Sequence, residues 1–303
     1  MPENPDIYPS NEHAFKTAIY TTHMKGNTLL FACLLAAMTG AVACNSQTAS
    51  KETAADSTAA PEIKLKEATV TYQDDTTTLI GYLVYNEASD RQRPGVLVVP
   101  EWWGLNDYPR SRARQLAELG YIALAVDMYG NGKLAPTPDE AGKAAGVFYT
   151  NAGLIKSRMA AALAEIKTFP QTDTNRIAAI GYCFGGAMVL NAAKMGLPFK
   201  GVVSFHGSLA GVTPNKDLLT SKILVCHGGA DKFVSAGEEA QFKKGLDSIG
   251  ADYTFKTYPG ATHAFTNPDA TKTGQQFNLP IAYNAAADSA SWQDMKAFFA
   301  RIF

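Results

Sequence analysis

One cysteine in this chain sits where its sulfur can do chemistry. Cys183 stands at the centre of Gly181-Tyr182-Cys183-Phe184-Gly185-Gly186. The apolar run Ile177-Ala178-Ala179-Ile180 precedes it, and Ala187-Met188-Val189-Leu190-Asn191-Ala192-Ala193 follows with helical character. Strand, Gly-x-Cys-x-Gly turn and helix together make a nucleophile elbow, with a thiol in place of the usual hydroxyl. Glycines on both flanks let the backbone turn sharply and bring the helix close. The central side chain is then lifted clear, and N–H groups at the helix start face a developing oxyanion. A thiolate is a strong nucleophile whose reactivity follows its surroundings. The competing reading is a small buried hydrophobe packed between glycines.

Such a nucleophile needs a base and a group that orients the base. Asp231 lies in Val225-Cys226-His227-Gly228-Gly229-Ala230-Asp231, and His263 in Tyr258-Pro259-Gly260-Ala261-Thr262-His263-Ala264-Phe265. Each loop follows a predicted strand, and the order Cys183, Asp231, His263 is the one an elbow of this kind requires. The structural alternatives are a helix cap for Asp231 and a backbone-bonded loop residue for His263. His206 and His227 compete for the base role. His206 follows the strand Val202–Phe205 and is expected at the mouth of the site, whereas His227 reads as a structural hydrogen-bonding residue. No compact ligand motif joins these histidines to Cys226, so neither a metal nor another cofactor is expected.

An earlier loop, Pro100-Glu101-Trp102-Trp103-Gly104, follows the run Gly95–Val99. The Trp102 N–H is placed to be a second oxyanion donor. Glu101 is a carboxylate in an apolar setting, which calls for a partner unless it forms a surface salt bridge. Trp102 and Trp103 belong either to the core or to the wall of an apolar pocket.

The elements that must position these groups follow from hydropathy. Ala68–Tyr72 and Leu79–Tyr85 flank a polar turn and predict a hairpin. Short apolar runs at Gly95–Pro100, Tyr121–Asp127, Arg176–Gly181, Phe199–Phe205, Lys222–Cys226 and Tyr253–Tyr258 predict strands covered on both faces. Helical spacing covers Ser111–Leu119, Leu154–Phe169, Ala236–Leu246 and Trp292–Ile302. Strand and helix in alternation predict an α/β fold, a mostly parallel central sheet with helices on both faces. With no internal repeat or linker, residues 64–303 are expected to form a single catalytic domain.

The chain has 303 residues, 46% of them hydrophobic, enough for a large core. A formal charge of −1 with no long basic tract removes the electrostatic case for nucleic acid. Near the start, Met24-Lys25 leads into the apolar run Leu29–Met38 and then Ala41-Val42-Ala43-Cys44, the pattern of an export signal over 24–43. Residues 1–23 are polar and read as a non-native upstream extension, with translation expected to begin at Met24. Ala41-Val42-Ala43-Cys44 resembles a bacterial lipoprotein box with Cys44 as the lipidated residue; cleavage after Ala43 without lipidation is the alternative. Residues 44–63 lack large apolar side chains and read as a flexible tether. These readings place the protein in the periplasm or cell envelope, held to the membrane through Cys44.

With these residues assembled, residues 66–303 resemble the dienelactone hydrolase (carboxymethylenebutenolidase) family of the α/β-hydrolase fold. The resemblance rests on the Glu101-Trp102-Trp103-Gly104 loop, the Gly181–Gly186 elbow, and the Asp231 and His263 loops, in that order. It implies a cysteine nucleophile at Cys183 with Asp231 as acid and His263 as histidine. It implies oxyanion donors at the Phe184 and Trp102 N–H groups. Glu101 matches a glutamate that holds the resting cysteine's proton until substrate binds. The resemblance further implies a monomer without metal, acting on a small ester or lactone, with Trp103, Tyr182, His206 and Phe265 as pocket candidates. There is one departure. Family members that cleave dienelactone carry an arginine shortly after the histidine, and here that stretch is Ala264-Phe265-Thr266-Asn267. The expectation is therefore a thioester-forming hydrolase of esters or lactones, with the case for dienelactone itself weakened and the substrate left open. The alternatives are a non-catalytic binding or scaffold protein, and a peptidase or thioesterase with the same machinery.

Overall fold

Strand β3 (Arg93–Val99) shows how the layers arise, because its side chains alternate between two separate cores. Val96 and Val98 enter one and Leu97 and Val99 the other, all fully buried. A strand packed on both faces has no solvent side, which is why this run is apolar without a polar alternate. The computed structural model describes residues 63–303. The segments expected to be an upstream extension, an export signal and a tether, with Cys44, fall outside the described residues except for Ile63. Among the described residues no helix is long and apolar enough to cross a membrane.

Eight strands form one sheet in the order β1-β2-β4-β3-β5-β6-β7-β8. The antiparallel hairpin β1 (Leu65–Asp74) and β2 (Thr77–Asn86) turns at Asp75, whose φ is +53°. β2 pairs antiparallel with β4 (Ile122–Ala125). From β4 onward the pairing is parallel, through β3, β5 (Thr172–Tyr182), β6 (Gly201–Phe205), β7 (Lys222–Gly228) and β8 (Tyr253–Tyr258). This is the mostly parallel sheet expected from the alternating apolar runs.

Helices α1 (Asp107–Glu118) and α7 (Ala285–Ile302) close one face through Leu116, Met295 and Phe299. The other face is covered by α2 (Pro138–Tyr149), α3 (Ala152–Lys167), α4 (Phe184–Lys194) and α5 (Ala236–Ser248). Two helices are absent from the sequence-based expectation: α2 and the short α6 (Ala270–Phe277). A signal for α2 was present in Thr137-Pro138-Asp139-Glu140, a capping box with proline at the first helical position. In the structure the Thr137 hydroxyl accepts the Glu140 N–H. Helix α6 spans only eight residues, and its buried side is the small pair Ala270 and Gly274, so little apolar bulk marks it.

Candidate active site

Every group of interest lies just beyond the carboxyl end of a parallel strand, where loops of an open α/β sheet converge. Glu101 follows β3, Cys183 follows β5, His206 follows β6, Asp231 follows β7 and His263 follows β8.

The elbow is as tight as its glycines allow. Cys183 has φ +53° and ψ −115°, a left-handed conformation that a non-glycine residue holds only when its surroundings impose it. A Cβ added to Gly181 would lie 2.1 Å from the Gly185 carbonyl oxygen, and one on Gly185 would lie 2.3 Å from that of Val99. Helix α4 therefore leaves the strand at backbone contact, anchored by the Gly185 N–H donating to the Pro100 carbonyl at 3.0 Å. The Cys183 thiol is thrust out of the sheet and is partly exposed.

Two distant loops meet it there. The Cys183 Sγ lies 3.0 Å from His263 Nε2, and His263 Nδ1 lies 2.8 Å from Asp231 Oδ2. The carboxylate is fixed in turn, its Oδ1 accepting the Phe233 N–H at 2.8 Å. The Ala230 N–H donates to the Ala261 carbonyl at 2.8 Å and ties the two loops together. Burial alone would depress the His263 imidazole, but the adjoining sulfur and the Asp231 carboxylate outweigh it and push it up to about 10. Burial likewise acts to raise Asp231, and its hydrogen bond and charge interaction with His263 win, leaving it below the usual carboxylate range.

Glu101 is nearly inaccessible, and burial pushes its carboxyl up to about 7. Its Oε2 accepts the Asn267 amide at 2.7 Å. The resemblance implied that Glu101 holds the resting thiol; here the hydrogen-bond partner of Cys183 Sγ is His263, and Glu101 is engaged by Asn267. The N–H of Phe184, at the first turn of α4, and that of Trp102 are left without hydrogen-bond partners in the described chain. The Tyr129 hydroxyl pins the Trp102 carbonyl at 2.8 Å.

A cavity of about 260 Å³ opens over the thiol, walled by Trp102, Trp103, Phe233, Val234, Leu279 and Ile281, with Tyr149 reaching in from α2. Of the four residues expected in the pocket, Trp103 is in its wall and the other three are not. Tyr182 and Phe265 are fully buried on the opposite face of the sheet. Tyr182 and Cys183 are consecutive, and strand alternation sends adjacent side chains to opposite faces. His206 is also fully buried, behind His263, with ring centroids 5.2 Å apart.

The surroundings of His206 form a network that sequence reasoning did not find. The Cys183 N–H donates both to the Phe205 carbonyl at 3.0 Å and to His206 Nδ1 at 3.1 Å. That leaves the ring hydrogen on Nε2, 2.7 Å from Thr266 Oγ1. Thr266 Oγ1 is 2.6 Å from the Tyr108 hydroxyl, which accepts from Arg112 Nε at 3.4 Å. Arg112 also binds the Thr266 carbonyl and Asp288, both at 2.6 Å. Burial, with His263 and Arg112 nearby, holds His206 well below its ordinary pKa and therefore neutral. Tyr108, Arg112 and Thr266 carry no local motif, because their link spans α1 and the histidine loop. Among the described residues no group of three or more His, Cys, Asp or Glu side chains could hold a metal ion.

A thiol elbow at the carboxyl edge of this sheet, with acid and imidazole from later loops, is the arrangement of an α/β-hydrolase. The match of residues 79–303 to the model of the dienelactone hydrolase family narrows the class, and the chain belongs to that family. Among solved structures it is similar to a dienelactone hydrolase-like promiscuous phosphotriesterase from metagenomic libraries. The two share 33% identity and a TM-score of 0.75, covering 79% of this chain and 99% of that one. A candidate carboxymethylenebutenolidase of Synechocystis sp. is 26% identical over 253 residues, 78% of this chain and 97% of that protein. An acylaminoacyl peptidase of Pyrococcus horikoshii shares the fold alone, at 16% identity and a TM-score of 0.54, covering 67% of this chain and 38% of that one.

Proposed function

We propose that this protein hydrolyses ester or lactone bonds through a thioester on Cys183. The observation that carries the reading is the unbroken contact from Cys183 Sγ to His263 Nε2 and from Nδ1 to Asp231 Oδ2 at the floor of an apolar cavity. Cys183 passes its thiol proton to His263 Nε2, and the thiolate attacks the carbonyl carbon, forming the C–S bond while the π pair moves onto oxygen. The unpartnered N–H groups of Phe184 and Trp102 receive that oxyanion. The tetrahedral species collapses, and His263 gives its proton to the departing alcohol oxygen. His263, held in one tautomer by Asp231, then takes a proton from water; the hydroxide adds to the thioester and the thiolate leaves. Glu101 lies in the cavity wall beside this machinery, its carboxyl held by Asn267.

Cys183→Ala is expected to lower ester turnover at least ~100-fold with an unchanged melting temperature. Activity near the wild-type rate removes the nucleophile assignment. A scaffold on this fold is separated by thiol labelling: iodoacetamide should modify Cys183 far faster than the buried Cys226, and equal sluggishness supports the scaffold. Because a relative sharing 33% identity is described as a phosphotriesterase, neutral phosphotriesters belong in the substrate panel. Peptides and thioesters belong there too, since the same machinery serves a peptidase or thioesterase.

The domain 64–303 acts as a monomer in this proposal, exported under 24–43 and tethered to the envelope by lipidated Cys44. Mass spectrometry of the mature N-terminus tests this; an unmodified Cys44 or an uncut Met24 rejects the anchor.

A further inference from the structure

We propose that this cavity selects uncharged, apolar acyl esters and turns away esters and lactones that carry a carboxylate. The inference rests on Cys183 being the nucleophile and concerns what the site admits. Apart from Cys183, the ionisable side chains lining the cavity are Glu101, His263 and Tyr149, whose phenol burial keeps neutral, and among the described residues no lysine or arginine lines it. A carboxylate moved from water into such a site gives up its hydration and meets only the His263 ring, whose two nitrogens already face Cys183 Sγ and Asp231 Oδ2, which strongly disfavours binding. An apolar acyl chain loses nothing comparable and is covered by the two tryptophans, Phe233, Val234, Leu279 and Ile281.

The nearby polar groups are already engaged. Asn267 donates its amide to Glu101 at 2.7 Å, and its Oδ1 accepts the Asp269 N–H at 3.0 Å. Arg112 is bound to Asp288, the Thr266 carbonyl and Gln115, under the rings of Tyr108, Tyr182 and Trp292. Arg158, on α3, is paired with Asp74 at 2.6 Å and binds the Met128 carbonyl. Neither guanidinium is free to serve a substrate anion.

Glu101 adds a second, pH-dependent barrier. Burial holds it near 7 against the Asn267 hydrogen bond and the charges of His263 and Arg112, with Asp269 acting in the same direction as burial. Tyr108 and Tyr182 face it as neutral phenols. Above that pH Glu101 adds a negative charge to the cavity wall, and below it Glu101 is neutral. Rejection of an anionic substrate therefore strengthens as pH rises through about 7 and weakens as it falls.

The test compares p-nitrophenyl hexanoate with the mono-p-nitrophenyl ester of adipic acid, which adds a carboxylate to an acyl chain of the same length. Hydrolysis by Cys183→Ala is subtracted from each. Like charges roughly 8 Å apart at an effective dielectric near 20 correspond to ~30-fold, so kcat/KM should favour the hexanoate by at least that at about pH 8. The ratio cancels pH effects common to both esters, and it should fall severalfold at about pH 6. Glu101→Gln, which keeps an acceptor for Asn267, should lower the ratio at about pH 8 and flatten its pH dependence. Leu279→Arg, at a half-buried wall position, should lower it by offering a cation. A ratio at or below one with turnover that depends on Cys183 overturns the selectivity alone. A ratio insensitive to both pH and Glu101→Gln overturns the role of Glu101. No turnover of either ester that depends on Cys183 overturns the hydrolase reading and the selectivity with it.

Discussion

Replacing Asp231 by asparagine isolates the electrostatic part of the site. The amide is isosteric, and its oxygen can still accept the Phe233 N–H that Asp231 Oδ1 binds at 2.8 Å, so the loop should keep its shape. Two things change at His263, whose Nδ1 lies 2.8 Å from the carboxylate. The first is charge. With the charge centres about 4 Å apart and an effective dielectric near 20, the carboxylate favours the imidazolium by roughly 4 kcal/mol, or ~10³-fold. The second is the tautomer: an amide N–H presented to Nδ1 favours the ring that carries its hydrogen on Nε2, where the sulfur's proton must go. A fall of ~10³-fold in kcat/KM for a neutral ester is therefore expected, with little change in melting temperature. His263 stands near 10 with Asp231 in place, and losing the carboxylate moves it down. The imidazolium partner of the sulfur then disappears at a lower pH than in the wild type. Iodoacetamide alkylation of Cys183, followed from about pH 5 to 9, should accordingly slow at neutral pH in the variant and recover only as pH rises. A loss of less than ~10-fold in kcat/KM, or an alkylation profile unmoved by the substitution, refutes the assignment of Asp231 to this role.

Further expectations follow from packing and from the buried network. In Gly181→Ala the new methyl would overlap Gly185 backbone atoms at 2.1–2.2 Å, which no side-chain rotation relieves, so the purified variant should melt well below the wild type or fail to fold. A wild-type melting curve from this variant contradicts the packing of the elbow. Thr266→Val preserves shape but leaves His206 Nε2–H and the Tyr108 hydroxyl one partner short, at a cost of roughly 1–3 kcal/mol in chemical denaturation. Because Thr266 joins the histidine loop to the residue that receives the Cys183 N–H, kcat should fall more than KM rises. An equal effect on both parameters reduces Thr266 to a packing residue.

What the sequence determined about this protein was the order of its chemistry. Gly181, Cys183 and Gly185 reveal a tight strand-to-helix turn with a thiol at its apex because the geometry is local: a few glycines beside one side chain suffice to impose it. Asp231 and His263 were legible for a related reason, since each sits in a glycine-bearing loop after an apolar strand, and parallel strands bring such loops to one edge. Strand number and pairing sense followed from apolar runs too uninterrupted to have a wet face. Helix α2 was missed although its capping box was written in Thr137 and Glu140 and its buried residues Ala141, Ala145 and Phe148 recur at helical spacing; two of those three are alanines, which carry little apolar weight.

Only the tertiary structure decided which side of the sheet each neighbour of the elbow faces. Tyr182 and Phe265 looked like pocket residues from their nearness to Cys183 and His263, yet strand alternation and loop geometry send both into the opposite core. The engagement of Glu101 by Asn267, across 166 positions of chain, depends on a loop and a strand end meeting in space. The chain from Arg112 through Tyr108 and Thr266 to His206 is of the same kind. Hydrogen bonds between distant elements leave no spacing in the sequence, because the fold, rather than the local backbone, sets the distance between donor and acceptor.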